Sequence, residues 1–330
     1  MEGAISSTLD AARTATPPRL TLGFSRAQAV ALAVMLACII AGPFVLYPVF
    51  LMKVLCFALF ACAFNLLLGY VGLLSFGHAA YFGMGSYIGA WTAKYWGLDA
   101  EVSILLGGLV GAGLGLVFGW LAIRRQGIYF AMITLALAQM VYFFCVEAPF
   151  TGGEDGIQQV PRAPLLHAIP MQADMSLYWF VAAVFVIGFL LIHRIIHSPF
   201  GQVLQAIREN EPRAVSLGYR VNDYKLVAFV LSAALAGVAG ATKAQVFGIA
   251  TLTDVHWSMS GEVVLMTLIG GVGTVFGPVI GALLYGALET YLAPFGDWVT
   301  VTQGAIFVIV VLAFRRGLIG EIGAKLRLSL

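Results

Sequence analysis

The sequence predicts an all-α integral membrane protein, a bundle of about ten transmembrane helices, each near the roughly 20 apolar residues that span a bilayer core. Three observations predict it. Hydrophobic residues make up 61% of the 330 and charged residues only 10%, too few to cover a water-facing surface, where about 25% is usual. The apolar residues fall in long runs divided by polar connections. The basic residues gather in alternate connections, the asymmetry that orients membrane helices.

In chain order the runs lie at about 27–46, 50–68, 75–93, 103–123, 128–146, 177–193, 226–247, 259–271, 275–292 and 298–314. Helices are the expected form, because hydrocarbon offers no partner to backbone N–H and C=O groups. The eighth run, roughly 13 residues, suits a half-helix or a re-entrant segment. Residues 1–26 read as a flexible cytoplasmic tail, 27–314 as one membrane domain and 315–330 as a second cytoplasmic tail. No secretory signal pattern opens the chain. Cys38, Cys56, Cys62 and Cys145 all sit in apolar runs, without metal-ligand or disulfide-framework spacing, and read as small buried hydrophobes.

Charge sets the direction. With a cytoplasmic N-terminus, the inner segments hold Arg13, Arg19, Arg26, Arg124, Arg125, Arg194, Arg208, Arg213, Arg220, Lys225, Arg315, Arg316, Lys325 and Arg327, 14 of the 18 basic residues. The outer segments hold only Lys94 and Arg162. Lys53 and Lys243 fall near the outer ends of spans, where long side chains snorkel. Asp254 and Glu262 read as external, which leaves Glu289 as the one acidic residue in a span. Both termini are then cytoplasmic. A net charge of +2 gives no reason to expect nucleic acid; the surrounding partner is membrane lipid.

Two connections exceed simple turns. The outer one, about 147–176, carries Thr151-Gly152-Gly153, a tight turn or part of an entry gate. The inner one, about 194–225, is the richest in charge. Within it Phe200, Val203, Leu204 and Ile207 repeat at helical spacing, Pro212 can open a second short helix and Gly218 can end it. Such an element either anchors in lipid headgroups or docks on a cytoplasmic protein. The balance of Arg208, Arg213 and Arg220 against Glu209, Glu211 and Asp223 favours a protein.

Gly69-Tyr70-Val71-Gly72 with Phe76-Gly77 is echoed by Gly270-Gly271-Val272-Gly273 with Phe276-Gly277. Paired glycine interruptions lead us to expect two inverted repeats with broken Gly-rich helices and a pathway near the breaks. Asn65, Ser75, Ser86, Thr134 and Gln139 are polar residues within spans, there either for helix packing or to meet a substrate. His78, beside the first break, is satisfied by backbone groups, lines a pathway or relays protons. The chain has no Gly-x-x-x-x-Gly-Lys-Ser/Thr loop, so it does not energise transport with ATP by itself. Neither His-Glu-x-x-His nor Gly-x-Ser-x-Gly occurs, which argues against an intramembrane enzyme. Few acidic residues in the spans argue against an ion-coupled carrier.

The run Ala206-Ile207-Arg208-Glu209-Asn210-Glu211, with Ala214 and Gly218, resembles the cytoplasmic loop of the LivM-type branched-chain amino acid permeases. It is similar to the wider ABC-importer pattern of Glu-Ala-Ala followed by Gly, with Glu211, Ala214 and Gly218 in those places and Pro212 and Arg213 departing from it. Asn65–Ala80, Gly127–Met132, Thr151–Gly153 and Gly270–Thr274 resemble the same family in order and spacing, over about residues 30–320. The resemblance implies a permease subunit that forms, with a second LivH-type permease, a pathway for leucine, isoleucine and valine. Two cytoplasmic ATPase subunits would dock on a coupling helix at Arg208, Glu209, Glu211, Ala214 and Gly218. An external or periplasmic binding protein would deliver the ligand. Expected pathway residues are Asn65, Ser75, His78 and Ser86; the expected external gate is Thr151, Gly152 and Gly153. No residue is catalytic, no metal or cofactor is bound, ATP is used by partner subunits, and the location is the bacterial inner membrane. Urea, short amides or other small organic acids are alternative ligands; a stand-alone ion-coupled carrier or channel is the alternative class.

Overall fold

The structure, a computed structural model, describes residues 26–164, 171, 173–292, 298–313 and 317–326. All of the expected N-terminal tail except Arg26 lies outside the described residues. The helices are α1 (Arg26–Val45), α2 (Pro48–Tyr70), α3 (His78–Tyr95), α4 (Ala100–Ala122), α5 (Ile128–Glu147), α6 (Asp174–Ile196), α7 (Pro199–Glu209), α8 (Glu211–Ser216), α9 (Val221–Phe247), α10 (Leu252–Val255), α11 (Trp257–Gly270), α12 (Gly277–Leu292), α13 (Val299–Ala313) and α14 (Gly317–Leu326). Each of the ten apolar runs falls on one of these helices, and among the described residues six helices are long and apolar enough to cross a membrane. Among the described residues there is no strand, only an isolated bridge between Ile157 and Ala250.

Elements start where the sequence supplies caps. Pro48 opens α2, where a missing N–H costs nothing. Ser198 accepts from the Gly201 N–H ahead of Pro199 in α7. Asn210 does the same for Arg213 in α8, satisfying donors that a helix start leaves free.

The core is built on α2 and α9. In α2, 83% of the apolar window is buried, against 6% in α1, which lies at the periphery. The 27-residue α9 rises about 40 Å and crosses α3 and α4 backbone to backbone. A Cβ on Gly237 would lie 2.5 Å from the Gly107 carbonyl oxygen, and one on Gly89 would lie 2.8 Å from the Ala241 Cβ. Small residues permit this approach where dispersion and not the hydrophobic effect drives helix association.

Connections sort to two ends. At one, Arg124 and Gln126 of the α4–α5 link border Glu211, Val215 and Arg220. At the other, the Val160 N–H donates to the Gly248 carbonyl (2.8 Å) and the Ala100 N–H to Pro164 (3.2 Å). There Lys94 donates to the Gln158 carbonyl (2.6 Å) and Arg162 pairs with Asp174 (2.7 Å). The chain therefore alternates between a basic end and an opposite end, as its charge pattern requires.

Candidate functional site

The helical ladder stops at residues 71–77 and 271–276, and both breaks meet at the basic end. At the first, the N–H groups of Gly72 and Leu73 turn back onto the Leu67 carbonyl (3.0 and 3.3 Å). Gly72 (φ 82°) and Gly273 (φ 79°) take left-handed conformations that residues with a Cβ adopt only at a cost. Asn65 joins the breaks. Its amide donates to the Thr274 carbonyl (2.9 Å) and its oxygen accepts from the Gly273 N–H (2.9 Å). A Cβ on Gly69 would lie 2.7 Å from the Gly273 nitrogen, so the two segments touch as bare backbone.

Both preceding helices, α2 and α11, run toward this end. The glycine-break pair thus repeats in parallel, since α12 packs back along both helices, Gly281 against Met266 of α11 and Gly286 against Val54 of α2. The two motifs that raised the expectation of inverted repeats do not themselves carry that relation.

Hydroxyl side chains, two from neighbouring helices and one from the break itself, satisfy backbone donors of the first break and of the start of α3. Phe76 N–H donates to Thr134 Oγ1 (3.1 Å), Gly77 N–H to Ser75 Oγ (3.2 Å) and Ala79 N–H to Ser260 Oγ (2.9 Å). All three hydroxyl side chains are fully buried, as satisfying an orphaned helix start requires. His78 is fully buried too, edge-on to Phe64 and Tyr81. Ser232 places its one proton on the Ala63 carbonyl (2.5 Å), so His78 Nε2 donates to Ser232 Oγ (2.9 Å). Beside the break an open groove of about 460 Å³ is lined by Leu73, Leu74, Phe76, Ile128, Met132 and Leu135, among others.

The basic-end loop folds as the amphipathic pattern requires. In α7, Leu204 and Ile207 turn inward; Ile207 packs with Ala214 and Val221 in a small cluster of its own. Arg208 reaches sideways, and its guanidinium donates to the Gly69 carbonyl. Glu211 pairs with Lys225 at 2.8 Å, the lysine side chain being 4% exposed. Gly218 has φ 88° and open space around it, so backbone conformation, not crowding, calls for glycine there. Glu209, Val215 and Leu217 face outward, the last two 57% and 69% exposed. A groove of about 590 Å³ runs beside Val215 and Glu211 toward Arg124.

Of the expected pathway residues, Asn65, Ser75 and His78 thus gather at or next to the breaks, whereas Ser86 lies midway along α3. There it donates to Asp254 (3.3 Å), which is 2% exposed and whose two carboxylate oxygens accept from Lys243 Nζ (2.6 and 2.7 Å). Lys243 is therefore paired within the protein and does not snorkel, and Asp254 is buried. Glu262, read as external, lies inside α11. Glu289, in α12, pairs with Lys53 (2.7 Å). Thr151 is fully buried and donates to the Cys145 and Ala148 carbonyls (2.6 Å each), closing the end of α5. Gly152 and Gly153 have φ 79° and 61° and carry the turn that follows.

Sequence reasoning missed Lys225, the Lys243–Asp254 pair and the bond from Arg208 to Gly69. One signal was available: Thr251-Leu252-Thr253-Asp254 is a capping-box spacing, and the structure forms that box at the start of α10. The expected C-terminal tail contains α14, whose first residue, Gly317, packs against Gly271 of the second break.

The family model described as the branched-chain amino acid transport system permease component matches residues 46–314. The high-affinity branched-chain amino acid transport system permease protein LivM of Salmonella typhimurium is 27% identical, over 80% of this chain and 68% of its own length. LivM of Escherichia coli is 26% identical over the same shares, and LivH of Salmonella typhimurium 22% identical, over 80% of this chain and 91% of its own. No solved structure matches. With the match running through both glycine breaks and the basic-end loop, the chain belongs to the family of branched-chain amino acid transport system permease components.

Proposed function

We propose that this chain is the LivM-type permease subunit of an ABC importer for branched-chain amino acids. One observation carries the reading: a two-helix element, α7–α8, lies at the basic end, tied inward to both helix breaks and presenting Val215 and Leu217 outward. Positive-inside asymmetry puts that end in the cytoplasm. There an ATPase subunit receives the exposed apolar pair in a groove of its own, the usual way an amphipathic helix is recognised.

A second, LivH-type permease completes the pathway, and two ATPase subunits and an external binding protein complete the importer. The subunit makes and breaks no covalent bond. ATP binding in the partners biases inward-facing against outward-facing arrangements. The open apolar groove beside the first break suits contact with an aliphatic group. Glu211 and Ala214 act from inside the loop, fixing its shape through Lys225 and Ile207, while Glu209, Val215 and Leu217 meet the partner.

The test is uptake of radiolabelled leucine into proteoliposomes holding both permeases and the ATPases, with binding protein added outside. ATP-dependent uptake competed by isoleucine and valine supports the proposal. Uptake by this chain alone, or competition only by urea or amides, overturns it.

A further inference from the structure

Arg208 stands out because it belongs to the docking element and, though partly exposed, reaches back to the end of α2. Its guanidinium donates to the carbonyl of Gly69, one of the acceptors that the end of α2 leaves without a helical partner. A cation at that place also meets the negative pole of α2. The rest of the side chain lies along the breaks: a Cβ on Gly72 would sit 3.2 Å from Arg208 Cγ, and one on Gly273 would sit 3.2 Å from Arg208 Nη1. Asn65 locks those same breaks to each other at 2.9 Å on either side of its amide. No other described side chain of α7 or α8 hydrogen-bonds to either break.

We infer that Arg208 is a positioning residue that transmits movement of the α7–α8 element to the two helix breaks, and that Asn65 makes them move as one unit. The inference rests on the importer reading and adds the route by which docking reaches the pathway.

The experiment compares wild-type, Arg208→Gln, Arg208→Lys and Asn65→Ala in the reconstituted importer, each first checked for monodisperse assembly. Unstimulated ATP hydrolysis stays within twofold of wild-type in Arg208→Gln and Asn65→Ala, while uptake and the stimulation of hydrolysis by ligand both fall at least tenfold, because coupling is reciprocal. Arg208→Lys recovers part of the uptake. Loss of unstimulated hydrolysis along with uptake, or loss of neither uptake nor stimulation, overturns the inference.

A second readout does not depend on transport. Spin labels at Leu217 and Thr274 of the full chain in lipid give a narrow distance distribution in wild-type and a broad one in Arg208→Gln. An unchanged distribution in Arg208→Gln overturns the inference even if the chain proves not to serve an importer. A wild-type assembly that retains no ATPase defeats the importer reading, and the distance measurement then decides the role of Arg208.

Discussion

Lys243 and Asp254 illustrate how little a single residue's place in the sequence says about its environment. The lysine is 9% exposed and the aspartate 2%, and each is held by the other at 2.6 Å. Removing one partner leaves a buried uncompensated charge. We expect Lys243→Met to cost about 3–5 kcal/mol, read as a lower melting temperature in detergent. The double variant Lys243→Met with Asp254→Leu recovers most of that loss, and a double variant as unstable as the sum of the singles would refute the pairing. Gly218 gives the complementary case. It has φ 88°, and a methyl group added there would meet no neighbour within 4 Å. Gly218→Ala therefore costs roughly 1–2 kcal/mol through backbone conformation alone. Gly218→Asn costs less, because asparagine enters the left-handed region more readily. Hydrogen exchange at Leu217 and Tyr219, whose N–H groups bond to Arg213 and Ala214, measures the difference.

At the scale of elements, α7, α8 and the link into α9 divide their residues between an inner and an outer face. Ile207, Ala214 and Val221 form the inner cluster; Val215 and Leu217 remain exposed. Replacing both Val215 and Leu217 with Asp should reduce co-purification of the ATPase subunit at least tenfold while the melting temperature stays within a degree or two. A large fall in melting temperature would mean that these residues support the fold. The crossing of α3, α4 and α9 is the opposite situation, with nothing to spare. A side chain at Gly237 meets the Gly107 carbonyl oxygen at 2.5 Å and the Gly111 Cα at 3.2 Å. Gly237→Val must separate two backbones and should destabilise by about 1–3 kcal/mol or more, measured by the same melting assay. The span positions were legible in the sequence because apolar runs of bilayer length have one stable form in hydrocarbon. The glycine breaks were legible as interruptions for the same reason. The amphipathic loop was legible from Phe200, Val203, Leu204 and Ile207. That Arg208 would leave its own helix face to reach Gly69 was not, since 139 residues separate them in the chain and periodicity records only local neighbours.

Over the whole molecule, contacts sort the connections into two ends, and labelling can test the membrane sidedness that goes with them. In a background lacking the four native cysteines, a cysteine at Gln126 or Arg213 should resist an impermeant thiol reagent added outside intact cells. One at Gln158 or Thr253 should react. The reverse pattern would invert the orientation and remove the cytoplasmic docking surface. Composition and charge order by themselves determined that this chain is a helical membrane bundle, where its apolar segments begin and end, and which connections share a side, because solvation by lipid acts on each segment separately. Only the tertiary structure decided that the two glycine breaks run in parallel and touch through Asn65, that Glu211 is spent on Lys225, and that Lys243 finds Asp254. Those outcomes depend on which helices pack together, and the pairing of distant segments is set by backbone approach at glycines and by the demand that each buried charge and carbonyl find a partner.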